Sequence, residues 1–172
     1  MRSPGQKTLI MFKPSWTPYK SWLCMRSKNW EAQECAYEAD VANASVCSTS
    51  DIVMSVDNDI LAYGNITTAR RPVSRHKSFI YHVPTMLSQL NISKGQLAAL
   101  CIVSKNDYNC NIARMGLKTN FKVIKSLQAE DPKESVKHHL NHPDVTSKNE
   151  TYERFTTAIK VFINRRQRSQ AA

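Results

Sequence analysis

Residues 51–64, DIVMSVDNDILAYG, join an apolar run to two carboxylates and then to a tyrosine and a glycine. The run DIVMSV is short and rich in β-branched residues, which predicts a buried β-strand. Asp57 and Asp59 follow it two positions apart, and in extended backbone such residues point to the same side. This stretch therefore predicts a strand that delivers a pair of carboxylates to one place.

Strands and helices alternate on both sides of this stretch. Ser93 precedes the apolar run KGQLAALCIV as a helix cap would, and Pro84 is placed as in the first turn of a helix. Because strands that alternate with helices form parallel sheets, the predicted fold class is α/β with a helical C-terminal part. We predict strands over 30–36, 51–56, 66–73 and 79–83, helices over 39–46, 85–90, 94–103, 107–113, 118–127 and 150–166, a further helix after Pro132, and a loop over 142–149.

The chain has a formal net charge of +10, yet its centre is acidic. Residues 31–69 hold seven carboxylates and no Lys or Arg, whereas residues 1–30 hold six basic and no acidic side chains. Residues 70–172 hold eighteen basic against seven acidic side chains. Charge alone favours a solvated surface over a nucleic-acid interface. An acidic centre between basic flanks changes that balance, because it indicates a metal pocket that works on a phosphodiester backbone.

Five carboxylates are the candidate metal ligands: Glu38, Asp40, Asp57, Asp59 and Asp107. In open α/β sheets ligands gather beyond the carboxyl ends of the strands, where these side chains are predicted to converge. Mg²⁺ binds oxygen ligands, and two such ions can activate a water and stabilise the leaving oxygen of a phosphodiester. Each carboxylate alone is explained more simply as a helix cap, a turn residue or a partner of a helix dipole. The metal-site prediction therefore depends on their order along the chain.

Three segments carry a family resemblance: YEADVA (37–42), SVDNDILAYG (55–64) and LCIVSKNDYNCNIARMG (100–116). Over about residues 30–127 they resemble the internal region of the XPG/flap endonuclease family of structure-specific nucleases. The resemblance implies a PIN-like, Rossmann-like parallel sheet with a site for two Mg²⁺ ions, for which Mn²⁺ can substitute, and a helix-two-turn-helix that grips duplex DNA. It also implies Mg²⁺-dependent endonuclease action on DNA with single-strand/double-strand junctions, of the 5′-flap type, in nuclear DNA repair.

The resemblance assigns roles to the same five carboxylates. Glu38 and Asp40 match the family's acidic pair that opens a helix, Asp57 and Asp59 match the pair after a strand, and Asp107 matches the aspartate of a Gly-Ser-Asp-Tyr element. All five are then implied to be catalytic residues and metal ligands.

The implied helix-two-turn-helix covers residues 111–120, and its predicted DNA contacts are Lys105, Arg114, Gly116 and Lys118. Lys105 and Arg114 stand where the family has glycines, whereas Gly116 keeps a glycine of that turn. Since glycine lets a backbone approach phosphate closely, these departures predict weaker binding at the turn, with Arg114 as a substitute phosphate ligand.

The start of the chain departs most from the family, which begins with a strand and a metal-binding Asp and has a second such Asp later. Residues 1–29 contain no Asp or Glu. We therefore expect a protein that lacks the family's N-terminal portion. Its expected regions are a basic arm over 1–29, an XPG-I/PIN-like α/β core over 30–106, the helix-two-turn-helix over 107–128 and a helical extension over 129–172.

Other sequence signals concern the surroundings of the protein. The longest apolar run, residues 97–103, is too short to span a bilayer, so we predict neither a membrane anchor nor a signal peptide. Five cysteines without a CxxC pair favour free thiols in a reducing compartment, which fits the intracellular, nuclear location that the family implies. His138, His139 and His142 are predicted to lie at the surface, because adjacent histidines diverge on a helix and no further ligand completes a metal set.

Three hypotheses of function follow from the sequence. The first is a truncated structure-specific endonuclease, in which Tyr63 and Tyr108 pack beside the site. The second is a nucleic-acid-binding relic that keeps the basic surface but lacks a complete catalytic centre. The third is a generic α/β domain with accidental spacing of its acids, which the order of the motifs disfavours.

Overall fold

The computed structural model describes residues 9–12, 31–34 and 39–163. The chain divides into two compact units, residues 1–46 and residues 47–172. Over the described ranges, no helix has both the length and the apolar character needed to cross a bilayer.

The first unit contains a two-stranded parallel sheet of β1 (Leu9–Phe12) and β2 (Glu31–Glu34). Helix α1 (Ala39–Val46) contacts β1. The strand predicted over 30–36 and the helix predicted over 39–46 are therefore confirmed. Strand β1 was not predicted from the sequence. Its four residues LIMF are all apolar, so they lack the alternation that indicates a strand.

The second unit contains a three-stranded sheet of β3 (Ile52–Met54), β4 (Thr68–Ser74) and β5 (Lys77–His82), in the order β3-β4-β5. Strands β3 and β4 pair in parallel, which agrees with the predicted α/β fold. Strand β5 pairs antiparallel to β4. The two residues 75 and 76 between these strands leave room only for a hairpin, since a parallel pair requires a long crossover.

Strand β3 is shorter than the run 51–56 that predicts it, and it is buried on one face only. Val53 is buried beside Ala69 of β4, whereas Ile52 and Met54 are 58% and 54% exposed. The prediction of a buried strand is therefore correct for Val53 and wrong for Ile52 and Met54, because alternate residues of a strand point to opposite faces and only one face is covered.

Helix α3 (Lys94–Val103) lies at the centre of the second unit. It buries seven of its ten residues and contacts a 3₁₀ helix (Asn58–Ala62) and three of the following helices. Burial on all sides is typical of a core helix. The other helices are α2 (Val83–Leu90), α4 (Leu117–Ser126), α5 (Pro132–Asn141), α6 (Pro143–Thr146) and α7 (Thr156–Phe162).

Helices α3 and α4 form a helical hairpin, residues 94–126. Ser93 and Gln96 form the capping box at the start of α3, with Ser93 Oγ accepting from the Gln96 N–H at 3.0 Å. The Gln96 Nε2 group donates to the carbonyl oxygens of Ile124 and Leu127, at 3.0 and 2.7 Å. One side chain thus joins the start of α3 to the end of α4, so the two helices run antiparallel.

Gly95 occupies a position at the start of α3 where no side chain fits. A Cβ atom built there would lie 1.6 Å from the carbonyl oxygen of Glu130 and 3.3 Å from the ring of Pro132. Glycine is therefore required for the segment before α5 to pack against α3.

The helix predicted over 107–113 is not formed, and these residues adopt turns and extended backbone. The Asn106 and Asn109 side chains bond the carbonyl oxygens at the end of α3. Asparagine commonly replaces helical hydrogen bonds in this way, so the chain turns here instead of continuing as a helix.

The helix predicted over 150–166 begins at Thr156. Tyr152 and Phe155 have positive φ angles of 52° and 53°, which a helix does not permit. A Glu153 carboxylate oxygen also accepts the backbone N–H of Phe155 at 2.6 Å, which fixes the turn before α7. The loop predicted over 142–149 contains the short helix α6.

The surface prediction for the three histidines is wrong for His139. His139 is 0% exposed, whereas His138 is exposed and His142 is half-buried. His139 shares its face of α5 with the buried residues Ser135 and Val136, which precede it by four and three positions.

Candidate functional site

Asp57 and Asp59 lie where the chain leaves β3 and enters the 3₁₀ helix. Asp57 caps that helix, and its Oδ1 accepts a hydrogen bond of 3.0 Å from the backbone N–H of Asp59. The Asp57 side chain is exposed and that of Asp59 is half-buried. The structure therefore places Asp57 at the cap and Asp59 in the first turn of one 3₁₀ helix, a position that a simple cap also explains. Asn58 and Asp59 are helical and not extended, so the alternation of a strand does not set the direction of the two side chains.

The Cys101 thiol of helix α3 interacts electrostatically with Asp57 and Asp59. Burial raises the pKa of Cys101 to about 12, Asp59 and Asp57 add to the rise, and the Lys94 ammonium opposes it. The protonated form of the thiol is therefore favoured at neutral pH.

Lys94 hydrogen-bonds the backbone of the segment that follows the two aspartates in the chain. Its Nζ donates to the carbonyl oxygen of Leu61 at 2.9 Å and to that of Ile66 at 3.1 Å. The helix dipole disfavours a cation in the first turn of a helix. The two hydrogen bonds therefore account for the lysine at this position. Sequence analysis missed Lys94, although a lysine directly after the cap Ser93 is a signal of such a role.

Asp107 is exposed and lies in the loop 104–116 between α3 and α4. The Asn106 Nδ2 group donates to the carbonyl oxygens of Cys101 and Ser104, at 2.9 and 3.2 Å. The Asn109 Nδ2 group donates to the carbonyl oxygen of Ile102. These are carbonyls that the end of a helix leaves without helical partners, so the loop that carries Asp107 is fastened to α3.

An aromatic bracket joins the segments that carry Asp59 and Asp107. The ring of Phe162, in α7, lies 5.4 Å from that of Tyr63 and 5.9 Å from that of Tyr108, measured between centroids. Tyr63 directly follows the 3₁₀ helix, and Tyr108 directly follows Asp107. Both tyrosines pack through α7, whose contribution sequence analysis missed.

The remaining two predicted ligands lie elsewhere in the chain. Glu38 is outside the described residues. Asp40 is half-buried in the first turn of α1, within the first unit, where an acidic side chain suits the helix dipole. Convergence of all five carboxylates on one pocket stays a prediction.

The described side chains, residues 39–163, contain no group of three or more His, Cys, Asp and Glu placed to hold a metal ion. Asp57 and Asp59 nevertheless supply the oxygen donors that Mg²⁺ prefers. Mg²⁺ in phosphoryl-transfer sites is commonly bound by one or two carboxylates, with waters and substrate phosphates completing its shell. The pair therefore fits a largely hydrated Mg²⁺ ion.

Arg114, which stands where the resembled family has a glycine, has a left-handed backbone conformation. Its φ is 60°, in the left-handed region. It is the third residue of a turn closed by a 3.0 Å hydrogen bond from the Met115 N–H to the Ile112 carbonyl oxygen. Residues 112–115 thus form a tight turn with an arginine at its left-handed position, and the Arg114 side chain is exposed.

Gly116 caps the start of α4 with extended backbone, and a Cβ atom there would meet nothing within 4 Å. The packing of the chain itself therefore does not require glycine at this position, in contrast with Gly95. Lys105 and Lys118 are both exposed on the helical hairpin.

Lys122 and Lys125 extend this basic surface and were missed by sequence analysis. They follow Lys118 by four and seven positions in α4, and neither is buried. The opposite face of α4 buries Asn120, Val123 and Ile124. The spacing of these lysines is visible in the sequence, but it indicates a shared face only once the helix is established.

Among solved structures, the chain is similar to flap endonuclease-1 from Methanococcus jannaschii, with a TM-score of 0.53 and 18% identity over 91% of this chain and 61% of that one. It is also similar to the catalytic core of Rad2, with a TM-score of 0.58 and 15% identity over 87% of this chain and 58% of that one. The chain has the fold of a flap-endonuclease core. It spans about three fifths of the length of these two structures. No family model and no curated protein sequence matches it.

Proposed function

We propose that this chain is a divalent-metal-dependent, structure-specific DNA endonuclease that acts at single-strand/double-strand junctions of the 5′-flap type. The observation that carries the proposal is the position of two carboxylates, Asp57 and Asp59, at the start of the 3₁₀ helix that follows β3 in a chain with the fold of a flap-endonuclease core. Three free cysteines among the described residues suit a reducing compartment, and a nuclear role in DNA repair is part of the proposal.

In this proposal Asp57 and Asp59 hold Mg²⁺ or Mn²⁺, with Asp107, Asp40 and Glu38 as the further expected ligands. A bound ion would activate a water and stabilise the leaving oxygen of the phosphodiester. The aspartates and the aromatic bracket have different roles in this proposal. The aspartates present carboxylate oxygens to the ion, and the bracket around Phe162 sets the spacing of the two acidic segments.

The helical hairpin is the proposed DNA grip. Lys105, Arg114 and Lys118 surround the turn at the start of α4, and Lys122 and Lys125 continue the charge along one face. Cations on a fixed scaffold bind phosphates without reading sequence. The open space beside Gly116 supports this assignment, because a phosphate could approach the backbone there.

A second candidate function is DNA binding without efficient cleavage. The described residues contain no group of three or more potential ligands placed to hold a metal ion, and Asp57 also serves as a helix cap. Because each 1.4 kcal/mol of lost transition-state stabilisation lowers a rate about tenfold, an incomplete ligand set reduces cleavage far more than binding.

Cleavage of a 5′-flap DNA, compared with a matched linear duplex in Mg²⁺, tests the proposal. The sharpest variant is Asp57→Asn, because asparagine caps a helix as well as aspartate but lacks the charge that a metal needs. Asp144→Asn, at an exposed position remote in sequence, is the matched control. We expect flap-selective cleavage that the first variant loses and the second keeps. Salt-sensitive binding without cleavage would favour the second candidate. The absence of both binding and cleavage would exclude both candidates.

A further inference from the structure

The side chain of Asn120 closes the loop 104–116 at both ends. Its Nδ2 group donates to the carbonyl oxygen of Val103, the last residue of α3, at 3.0 Å, and to that of Met115 at 3.2 Å. Asn120 lies in α4 and is 0% exposed. A buried amide therefore links the residue before the loop, Val103, to Met115 near the end of the loop.

His139 in α5 fixes the orientation of that amide. Carbonyl oxygens only accept hydrogen bonds, so the Asn120 NH₂ must face Val103 and Met115, and its Oδ1 faces His139 Nε2 at 3.1 Å. The ring must then carry its proton on Nε2 in order to donate. The other ring nitrogen, Nδ1, is buried without a hydrogen-bond partner, which also requires the neutral ring.

The neutral form of His139 is stabilised by its surroundings. Burial lowers its pKa to about 4, and the neighbouring His142 adds to the lowering. The ring of Phe155, itself 1% exposed, packs edge-on against His139 with centroids 6.4 Å apart. His139 and Phe155 both lie outside the region of family resemblance, which ends near residue 127.

We propose that Asn120 and His139 are positioning residues of the proposed nuclease. Together they hold the loop 104–116, and with it Asp107 and Arg114, in the conformation that engages DNA. This inference rests on the proposed function. Neither residue contacts the substrate in this proposal, since both are fully buried.

Asn120 and His139 are matched to the polar groups around them. Two apolar side chains of similar volume would cost stability here. They would leave the carbonyl oxygens of Val103 and Met115 without their donor, whereas an amide satisfies both and accepts from the ring at the same time. The pair is therefore suited to fixing the geometry of the loop.

Hydrogen exchange of the loop amides tests the inference directly. His139→Leu removes the donor to Asn120, whereas His139→Gln places an amide N–H close to the former Nε2. Val136→Ala, one turn away in α5 and 1% exposed, is a control that loses buried apolar packing and no hydrogen-bonding group. We expect faster exchange over residues 104–116 in His139→Leu alone. Equal loop exchange in the Leu and Gln variants would overturn the inference.

Binding to a 5′-flap DNA supplies the functional half of the test. We expect His139→Leu to bind about tenfold more weakly, equivalent to about 1.4 kcal/mol, and His139→Gln to stay within about threefold of the unsubstituted chain. Weakened binding in Val136→Ala to the same extent would assign the effect to stability and overturn the inference. If the unsubstituted chain fails to bind, the proposed function fails, while the exchange data still decide whether His139 holds the loop.

Discussion

Two regions of the molecule are basic: the helical hairpin, residues 94–126, and the β-hairpin formed by β4 and β5, residues 68–82. They differ in how much of the scaffold that carries the charge is buried. In the β-hairpin, Val73, Phe79 and Ile80 are 57%, 58% and 66% exposed. The helical hairpin instead places its cations on a scaffold whose other face is buried in the core.

The difference lies in what fixes each region. The β-hairpin depends on its strand pairing, which is irregular between Pro72 and Ser74, with one side-chain bond from Arg70 to Ser78. The loop of the helical hairpin is held by side-chain amides at Asn106, Asn109 and Asn120. Charge thus identifies a candidate DNA-binding surface, while buried polar contacts decide whether that surface has one conformation.

The largest expected effect concerns the packing of the helical hairpin. Gly95→Ala places a Cβ atom against the Glu130 backbone, so the segment before α5 must move, and we expect a loss of about 3 kcal/mol or more in the free energy of unfolding. Gly116→Ala is the control, because nothing lies within 4 Å of its new Cβ. Urea denaturation measures both. Equal losses would show that α3 is not packed as described.

Acid should loosen the helical hairpin through His139. Its pKa is lowered from 6.5 to about 4 in the folded protein, so the unfolded chain binds the proton more readily. The stabilisation from the neutral ring is therefore complete above pH 6.5 and is lost as the pH falls toward 4, by roughly 3 kcal/mol.

Urea denaturation at about pH 7 and about pH 4 measures this loss. The His139→Gln variant has no such group and should lose correspondingly less stability over the same range. A variant with the same pH dependence as the unsubstituted chain would contradict the assignment to His139.

DNA binding compares the two basic regions directly. Replacing Lys105, Arg114 and Lys118 with alanine should reduce the slope of log affinity against log salt by about 2.7, or about 0.9 for each phosphate that the protein no longer neutralises.

The matched control replaces Arg71, Arg75 and Lys77 of the β-hairpin, which removes the same charge from the less constrained region. Titrations of a fluorescent duplex at several salt concentrations measure both slopes. An equal reduction in the control would mean that charge alone, and not the scaffold, determines binding.

The smallest expected effect concerns the turn at Arg114. Arg114→Gly should raise the free energy of unfolding by about 0.5–1 kcal/mol, because a left-handed conformation costs a non-glycine residue more than the extra chain entropy of glycine. The same variant should weaken DNA binding, since it removes a phosphate ligand. Thermal melts measure the expected gain in stability, and the binding titration measures the expected loss of DNA affinity. A loss of stability would contradict the left-handed turn.

Local signals made much of the fold predictable from the sequence. The cap at Ser93 defines the start of α3, and the spacing of Phe121 and Ile124 defines the inner face of α4. Such features depend on neighbouring residues only. The place of Asp57 and Asp59 soon after β3 was predictable for the same reason, whereas the 3₁₀ helix that they begin, in place of extended backbone, was not.

Contacts between residues distant in sequence were not predictable. The burial of His139 depends on Asn120 and Phe155, and the start of α7 depends on the backbone at Tyr152. No periodicity in a single sequence identifies such partners. The positions of Glu38 and Asp40 relative to the other carboxylates depend on the arrangement of two units, so the complete metal site stays a prediction.

The aromatic bracket around Phe162 has a consequence for the order in which the protein is made. A chain is synthesised from its N-terminus, so Tyr63 and Tyr108 leave the ribosome before Phe162, which follows them by 99 and 54 positions. Until α7 emerges, these two rings lack the ring that packs between them. Contacts of such long sequence separation form late, because the intervening chain must first be ordered. The segments that carry Asp59 and Asp107 therefore reach their final spacing near the end of folding.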